Sequence, residues 1–408
     1  MLYPKNEHPF DLELFRQPTA EYRGAPFWAW NCELDTGELL WQIEQLKAMG
    51  FGGFHMHVRT GMSTIYLSDE YMRLIRACIG KAREEKMLAW LYDEDRWPSG
   101  AAGGLVTKDP DCRARHLLFT ARPYAEDTSS AENTDSTARG ARTGNGRLIA
   151  CYDVQLDADG NLAGYRRTDE LETAGGRRWY AYIETDNTSP WFNNQTYVDT
   201  LNKKAIDIFI QTTHERYAVA VGEDFGGLVP AIFTDEPQFS HKTALNFAAD
   251  LMDVILPWTD DLPQTYAASY PDDLLAHLPE LIWELPRNQV SSTRYFYHDH
   301  IAERFAAAFA DNCGDWCRRH NLLLTGHMME EPTLQSQTAA LGEAMRSYRG
   351  FGLPGIDMLC DRYELTTAKQ AQSASRQFGC PGVISELYGV TNWDFDFRGH
   401  KLQGDWQA

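Results

Sequence analysis

No run of 18 apolar residues occurs in this 408-residue chain, and its first fifteen residues, MLYPKNEHPFDLELF, contain no apolar signal core. A membrane-spanning segment therefore has no sequence signal, and a cytoplasmic location is the default expectation. Basic residues are scarce. Lys and Arg total 38 against 58 Asp and Glu, a formal net charge of -20, which repels phosphate backbones and anionic lipid heads. Neither nucleic acid nor a membrane surface is expected as a partner. C-x-x-C is missing too: the eight cysteines are Cys32, Cys78, Cys112, Cys151, Cys313, Cys317, Cys360 and Cys380, and the closest pair, Cys313 and Cys317, sits one helical turn apart. They read as reduced and mostly buried. No G-x-G-x-x-G turn follows the first apolar strand, so nucleotide binding has no signal.

Aromatics are plentiful. They make up 12% of the chain, with 12 Trp, enough either for a large core or for stacking on sugar rings. The dominant pattern is strand, loop, helix, repeated. "APFWAWN" (residues 25–31) precedes Asp35 and Glu38, placed as a capping box, and then Leu39, Leu40, Ile43 and Leu46 at helical spacing. "FGGFHMHV" and "MLAWLYDED" are further strands. From about residue 120 the repeat is interrupted by a Ser-, Thr- and Gly-rich stretch, with a flexible lead-in over 126–146 and a hairpin pattern in "CYDVQLDADGNLAGYRR". "DADGN" reads as a turn, because no ligand-position Glu or flanking helices accompany it as a calcium loop requires.

The repeat resumes with "LVPAIFTDEP", "LLLTGHMMEEP", "PGIDML" and "PGVISELYG". Seven strands, near residues 26, 52, 88, 230, 323, 355 and 382, alternate with helices and imply parallel crossovers. The expected fold is an α/β (β/α)8 barrel that stops before strand eight and carries an inserted small β subdomain. Its divisions are 1–119 (strands one to three), 120–190 (the insert) and 191–408 (strands four to seven).

In such a barrel chemistry sits at the C-terminal ends of the strands. Strand one ends in Trp30; strand two in His55, His57 and Arg59; strand three in Asp93, Glu94, Asp95 and Trp97. Strand four ends in Asp235 and Glu236, strand five in His327, Glu330 and Glu331, strand six in Asp357, and strand seven in Glu386. Each has a plainer alternative: helix-capping acids for Asp93–Asp95, a hydrogen-bonded core pair for His55 and His57, a solvent-facing acid at Glu330 or Glu331. Asp93 and Asp95 alternate to one side and are expected to line the pocket with the two histidines, while Glu94 points away. Carboxylates on facing strands equip a site for glycoside hydrolysis, one protonating the leaving oxygen and the other attacking carbon or activating water. Strands four and seven single out Glu236 and Glu386, with Pro237 pushing Glu236 toward extended backbone. Arg59, the histidines and Asp235 would bind sugar, and Trp30, Trp97 and Trp393 would stack on it.

The order and spacing of "PFWAWN", "L..QI..LKAMGFGGFHMH", "WLYDEDRWPSG", "TDEP" and "SELYG" resemble the catalytic barrel of glycoside hydrolases similar to the family 106 α-L-rhamnosidases. The resemblance implies a barrel glycosidase, further β domains after the barrel, a calcium ion and an inverting outcome, with no calcium ligand assigned to a residue. More distantly it implies an acid/base after strand four, a nucleophile after strand seven and an Arg after strand two, positions matched by Glu236, Glu386 and Arg59. Two other readings remain. "His-Met-His" is a two-ligand spacing used by metal-dependent amidohydrolase barrels, and a barrel short of one strand would serve as a catalytically silent carbohydrate-binding protein.

Overall fold

The computed structural model describes residues 10–124, 142–169, 175–359 and 362–408. The lead-in read as flexible lies, over 126–141, outside the described residues, as does Cys360. Seven strands form one parallel sheet: β1 (Phe27–Trp30), β2 (Gly53–Val58), β3 (Leu88–Tyr92), β8 (Ala231–Asp235), β10 (Leu323–His327), β11 (Leu353–Met358) and β12 (Ile384–Leu387), in that spatial order. They are the seven strands of the sequence pattern. Five more make an antiparallel sheet in the order β6, β5, β7, β4, β9: β4 (Arg115–Thr120), β5 (Arg147–Leu156), β6 (Leu162–Thr168), β7 (Arg177–Thr185) and β9 (Val254–Trp258).

The parallel sheet curls. Phe27 of β1 meets Phe233 of β8, three strands away, with ring centroids 4.9 Å apart, a contact that a flat sheet cannot make. Among the described residues β1 and β12 are not paired, so the curl stays open between them. Alternation sorts each strand into an inward and an outward set. Trp90, Ala231 and Leu353, with Ala25, Leu88, Leu323 and Ile384 against them, fill the floor of the curl. Outward residues such as Phe54, Leu91, Ile232, Leu324 and Ile356 join the main core under the helices.

Helix boundaries follow local chemistry. Thr36–Ala48 begins where the Asp35 side chain accepts the Glu38 N–H at 2.9 Å. Only that half of the expected capping box forms, because the Glu38 carboxylate instead accepts from Gln42 Nε2 one turn on, at 2.8 Å. The antiparallel sheet has its own aromatic centre, Phe119 stacked on Trp179 and Trp179 edge-on to Trp283. It draws β4 and β9 from outside 120–190. Among the described residues no disulfide occurs, and Cys78, Cys112, Cys151, Cys313 and Cys317 are buried. No described helix is long and apolar enough to cross a membrane.

Candidate active site

Two residues above the apolar floor and its aromatic second layer, the inward positions turn polar. The register pairs His327 with Asp235 and Asp357 with Glu386, and the same layer receives His57 from β2 and Tyr92 from β3. Gly326 makes the closest approach possible: at φ +127° it lies so near β8 that a Cβ would sit 1.8 Å from the Thr234 carbonyl oxygen. Only glycine fits there.

Asp235 is the hub of the layer. Its carboxylate accepts from the Tyr92 hydroxyl at 2.6 Å and from His327 Nε2 at 3.0 Å, with His57 Nε2 at 3.9 Å. Its backbone N–H donates to Ser99 Oγ and its carbonyl accepts the Ser99 N–H, both at 2.8 Å. Burial works against the charge, but the hydrogen bond from His327, the nearby His57 imidazole and the hydrogen bond from Tyr92 outweigh it and hold the carboxyl below the ordinary range. On His327 burial opposes charge as well, yet Asp235 on one side and Glu386, 3.7 Å from Nδ1, on the other raise the imidazole well above its usual value. An imidazolium between the Asp235 carboxylate and the Glu386 carboxyl is the result at neutral pH.

Glu236 follows directly. Pro237 was expected to favour extended backbone there, but Glu236 stands at φ +45°, in the left-handed region. The reason is that β8 ends at Asp235 and the chain turns, pinned by the Glu236 N–H on the His327 carbonyl at 3.2 Å and by Gln238 Nε2 on the Glu236 carbonyl at 3.3 Å. Such strain persists where surrounding bonds over-determine it. The Glu236 carboxylate accepts the indole N–H of Trp97, and burial pushes its pKa up to about 7. Burial also raises Glu386 and Asp357, against the pull of His327.

The other expected residues are distributed unevenly. His55 is inward but one layer deeper, its Nδ1 3.1 Å from the Ala25 carbonyl and its ring stacked on Trp90; burial lowers it to about 3. Trp30 is on the outer face, buried edge-on to Tyr71. Arg59 is exposed just past β2, Glu330 is exposed, and Trp393 is fully so. Glu331 is buried, accepting from the Tyr348 hydroxyl at 2.8 Å and the Asp357 N–H at 3.2 Å, and so holds the end of β11. Asp93 and Asp95 are buried but turned to the loop 95–103: Asp93 accepts from Ser99 Oγ at 2.5 Å, Asp95 from Asn193 Nδ2 at 3.0 Å and pairs with Arg96 at 3.3 Å.

Glu94 does point away from the layer, into that same loop. Its two oxygens accept five backbone N–H groups, from Asp95 (2.8 Å), Gly100 (2.9 Å), Ala101 and Ala102 (2.8 Å each) and Gly103 (2.5 Å). The loop that carries Trp97 to Glu236 and Ser99 to Asp235 is wound round one carboxylate. Sequence reasoning missed this, and it missed Tyr92, whose place was legible from the parity of Leu88 and Trp90.

Among the described residues one trio could hold a metal: Glu236, His327 and Asp357 each offer a donor atom, all within 4.8 Å of one another. With Nε2 on Asp235, His327 would offer Nδ1, the carboxylate-braced arrangement common to metal histidines. An imidazole donor suits zinc or manganese better than calcium, which takes oxygen ligands. His55 and His57 are not in the trio.

No protein-family model matches the sequence, and no curated protein is similar to it. A solved structure does share the fold. The chain is similar to a rhamnosidase from Novosphingobium sp. PP1Y with a TM-score of 0.63 at 12% identity, over 98% of this chain and 55% of that one. The chain thus spans about half the length of that rhamnosidase, and the likeness is one of fold.

Proposed function

We propose that this chain carries the catalytic face of a glycoside hydrolase, acting on an α-L-rhamnoside or a related glycoside in the manner of the family 106 enzymes. The observation that carries the reading is that Glu236 and Glu386 both come up to His327 from the inward side, Glu236 with a carboxyl raised by burial to about 7. In this reading Glu236 delivers its proton to the glycosidic oxygen as the C–O bond breaks and the leaving group departs as an alcohol. Glu386 takes the proton of the attacking water or attacks the sugar carbon itself, in either case from its ionised form, which burial disfavours and the adjacent His327 imidazolium favours. His57, Asp235 and Trp97 frame the sugar. The fold shared with a rhamnosidase supports the same class.

The test is turnover of a panel of 4-nitrophenyl glycosides that includes the α-L-rhamnoside. Wild type is expected to hydrolyse at least one, with Glu236→Gln and Glu386→Gln each losing about 100-fold or more. Full activity in either variant, or binding of sugar without turnover by wild type, sinks the reading; the second outcome fits a carbohydrate-binding protein. A second reading, a metal-dependent hydrolase, is favoured by the Glu236, His327 and Asp357 trio alone. About one bound zinc or manganese per chain, with chelator-sensitive activity on amides, would select it.

A further inference from the structure

The segment between β7 and the helix Lys203–Thr212 leaves the antiparallel sheet and ends up against the loop beside Glu236. It is fastened there by side chains. Arg96 donates to the Pro190 carbonyl at 3.1 Å and to Asn193 Oδ1 at 2.6 Å, while Asn193 Nδ2 donates to Asp95 at 3.0 Å and to the Gly103 carbonyl at 2.9 Å. Between these anchors stands Trp191. Its indole N–H donates to the Trp97 carbonyl at 2.5 Å, and the two rings meet edge to face, centroids 6.4 Å apart at 82°. Trp191 remains 40% exposed.

The geometry therefore forms a short series: Trp191 grips the main chain of Trp97, and the Trp97 indole N–H rests on the Glu236 carboxylate. We infer that Trp191, with Trp97, forms the subsite for the leaving group, and that this subsite takes an aryl group or the apolar face of a sugar ring. The inference rests on the glycoside-hydrolase reading of Glu236. An oxygen that receives the Glu236 proton lies beside the edge of Trp97, so whatever is attached to that oxygen extends toward Trp191. A rigidly anchored aromatic with ring surface in water, next to a proton donor, suits stacking on such a group. It also gives the five-stranded sheet a part in selectivity, because that sheet supplies the segment.

The test separates binding from turnover. Affinities of the full chain for 4-nitrophenyl and methyl α-L-rhamnoside are measured by calorimetry, under conditions where Glu236→Gln blocks hydrolysis. The aryl glycoside is expected to bind about tenfold tighter, the equivalent of one good aromatic contact. Trp191→Ala should erase that difference and leave the methyl glycoside unaffected, and Trp191→Phe, which keeps a ring but loses the N–H to Trp97, should retain most of it. Equal affinities for the two glycosides, or a preference that survives Trp191→Ala, overturns the subsite. Failure of the hydrolase reading looks different: selective binding persists, but wild type turns nothing over.

Discussion

Burial lifts the Glu236 carboxyl to about 7, so it keeps its proton where an exposed glutamate has lost it. If it serves as the acid, kcat/KM should fall as pH rises through about 7, and Glu236→Gln should remove that limb of the profile. Stability follows the opposite logic. Between the ordinary glutamate value and about 7 the folded state binds more protons than the unfolded, so Glu236 lowers stability as pH rises; Glu236→Gln should gain up to about 3 kcal/mol at pH 8 and little at pH 4 in urea melts. The Asp235–His327 pair is stabilising, and its two members have opposite pH dependences. Asp235 contributes above its unfolded value near 3.9, lost as pH falls through its lowered folded value. His327 contributes fully below about 6.5 and is lost as pH rises through its raised folded value. His327→Ala strands a buried carboxylate and should cost about 3–5 kcal/mol at pH 5 to 6, the largest loss in the window. Most members of the polar layer were legible as strand-end residues, since His57, Asp235, His327 and Glu386 all stand where an apolar run stops. Tyr92 was passed over although strand parity places it, because the acidic run after it drew attention one residue too far. The backbone of Glu236 was not legible, since the local preference set by Pro237 gives way to two tertiary hydrogen bonds.

The loop 95–103 is built on an acid that ordinary reading would put in solvent. Five backbone donors satisfied by one carboxylate leave little freedom, and removing the acceptor abandons buried N–H groups at a cost of about 1–3 kcal/mol for each group left wholly unpaired. Glu94→Gln is expected to be severe because its amide presents donors to donors. Hydrogen exchange at residues 100–103 should accelerate in that variant, and activity should drop through Trp97 and Ser99 although Glu94 faces away from the polar layer; unchanged exchange would show that the loop is held by other means. Elements with strong local signals were readable, including the helix at Thr36–Ala48 and the hairpin of β5 and β6. The strands β4, β7 and β9 were harder. β4 pairs with β9 across more than a hundred residues of sequence, and no turn signal marks such a partner.

At the scale of the whole molecule the charge of -20 predicts indifference to polyanions. The chain should pass heparin resin and anionic vesicles unretained at 50 mM salt, and retention would show a basic surface that its composition conceals. Topology has a further consequence, for how the molecule comes to be folded. Tyr92 and Asp235, hydrogen-bonded neighbours in the polar layer, are 143 residues apart in sequence, with most of the antiparallel sheet between them. Closing so long a loop is slow, and it is easier once the intervening chain is already compact. During synthesis β1, β2 and β3 must therefore wait, with an unpaired edge, while β4 to β7 emerge and settle around Phe119 and Trp179. The polar layer is then among the last parts of the molecule to exist, and a refolding experiment should recover the tryptophan signal of the antiparallel sheet before it recovers any ability to bind a sugar.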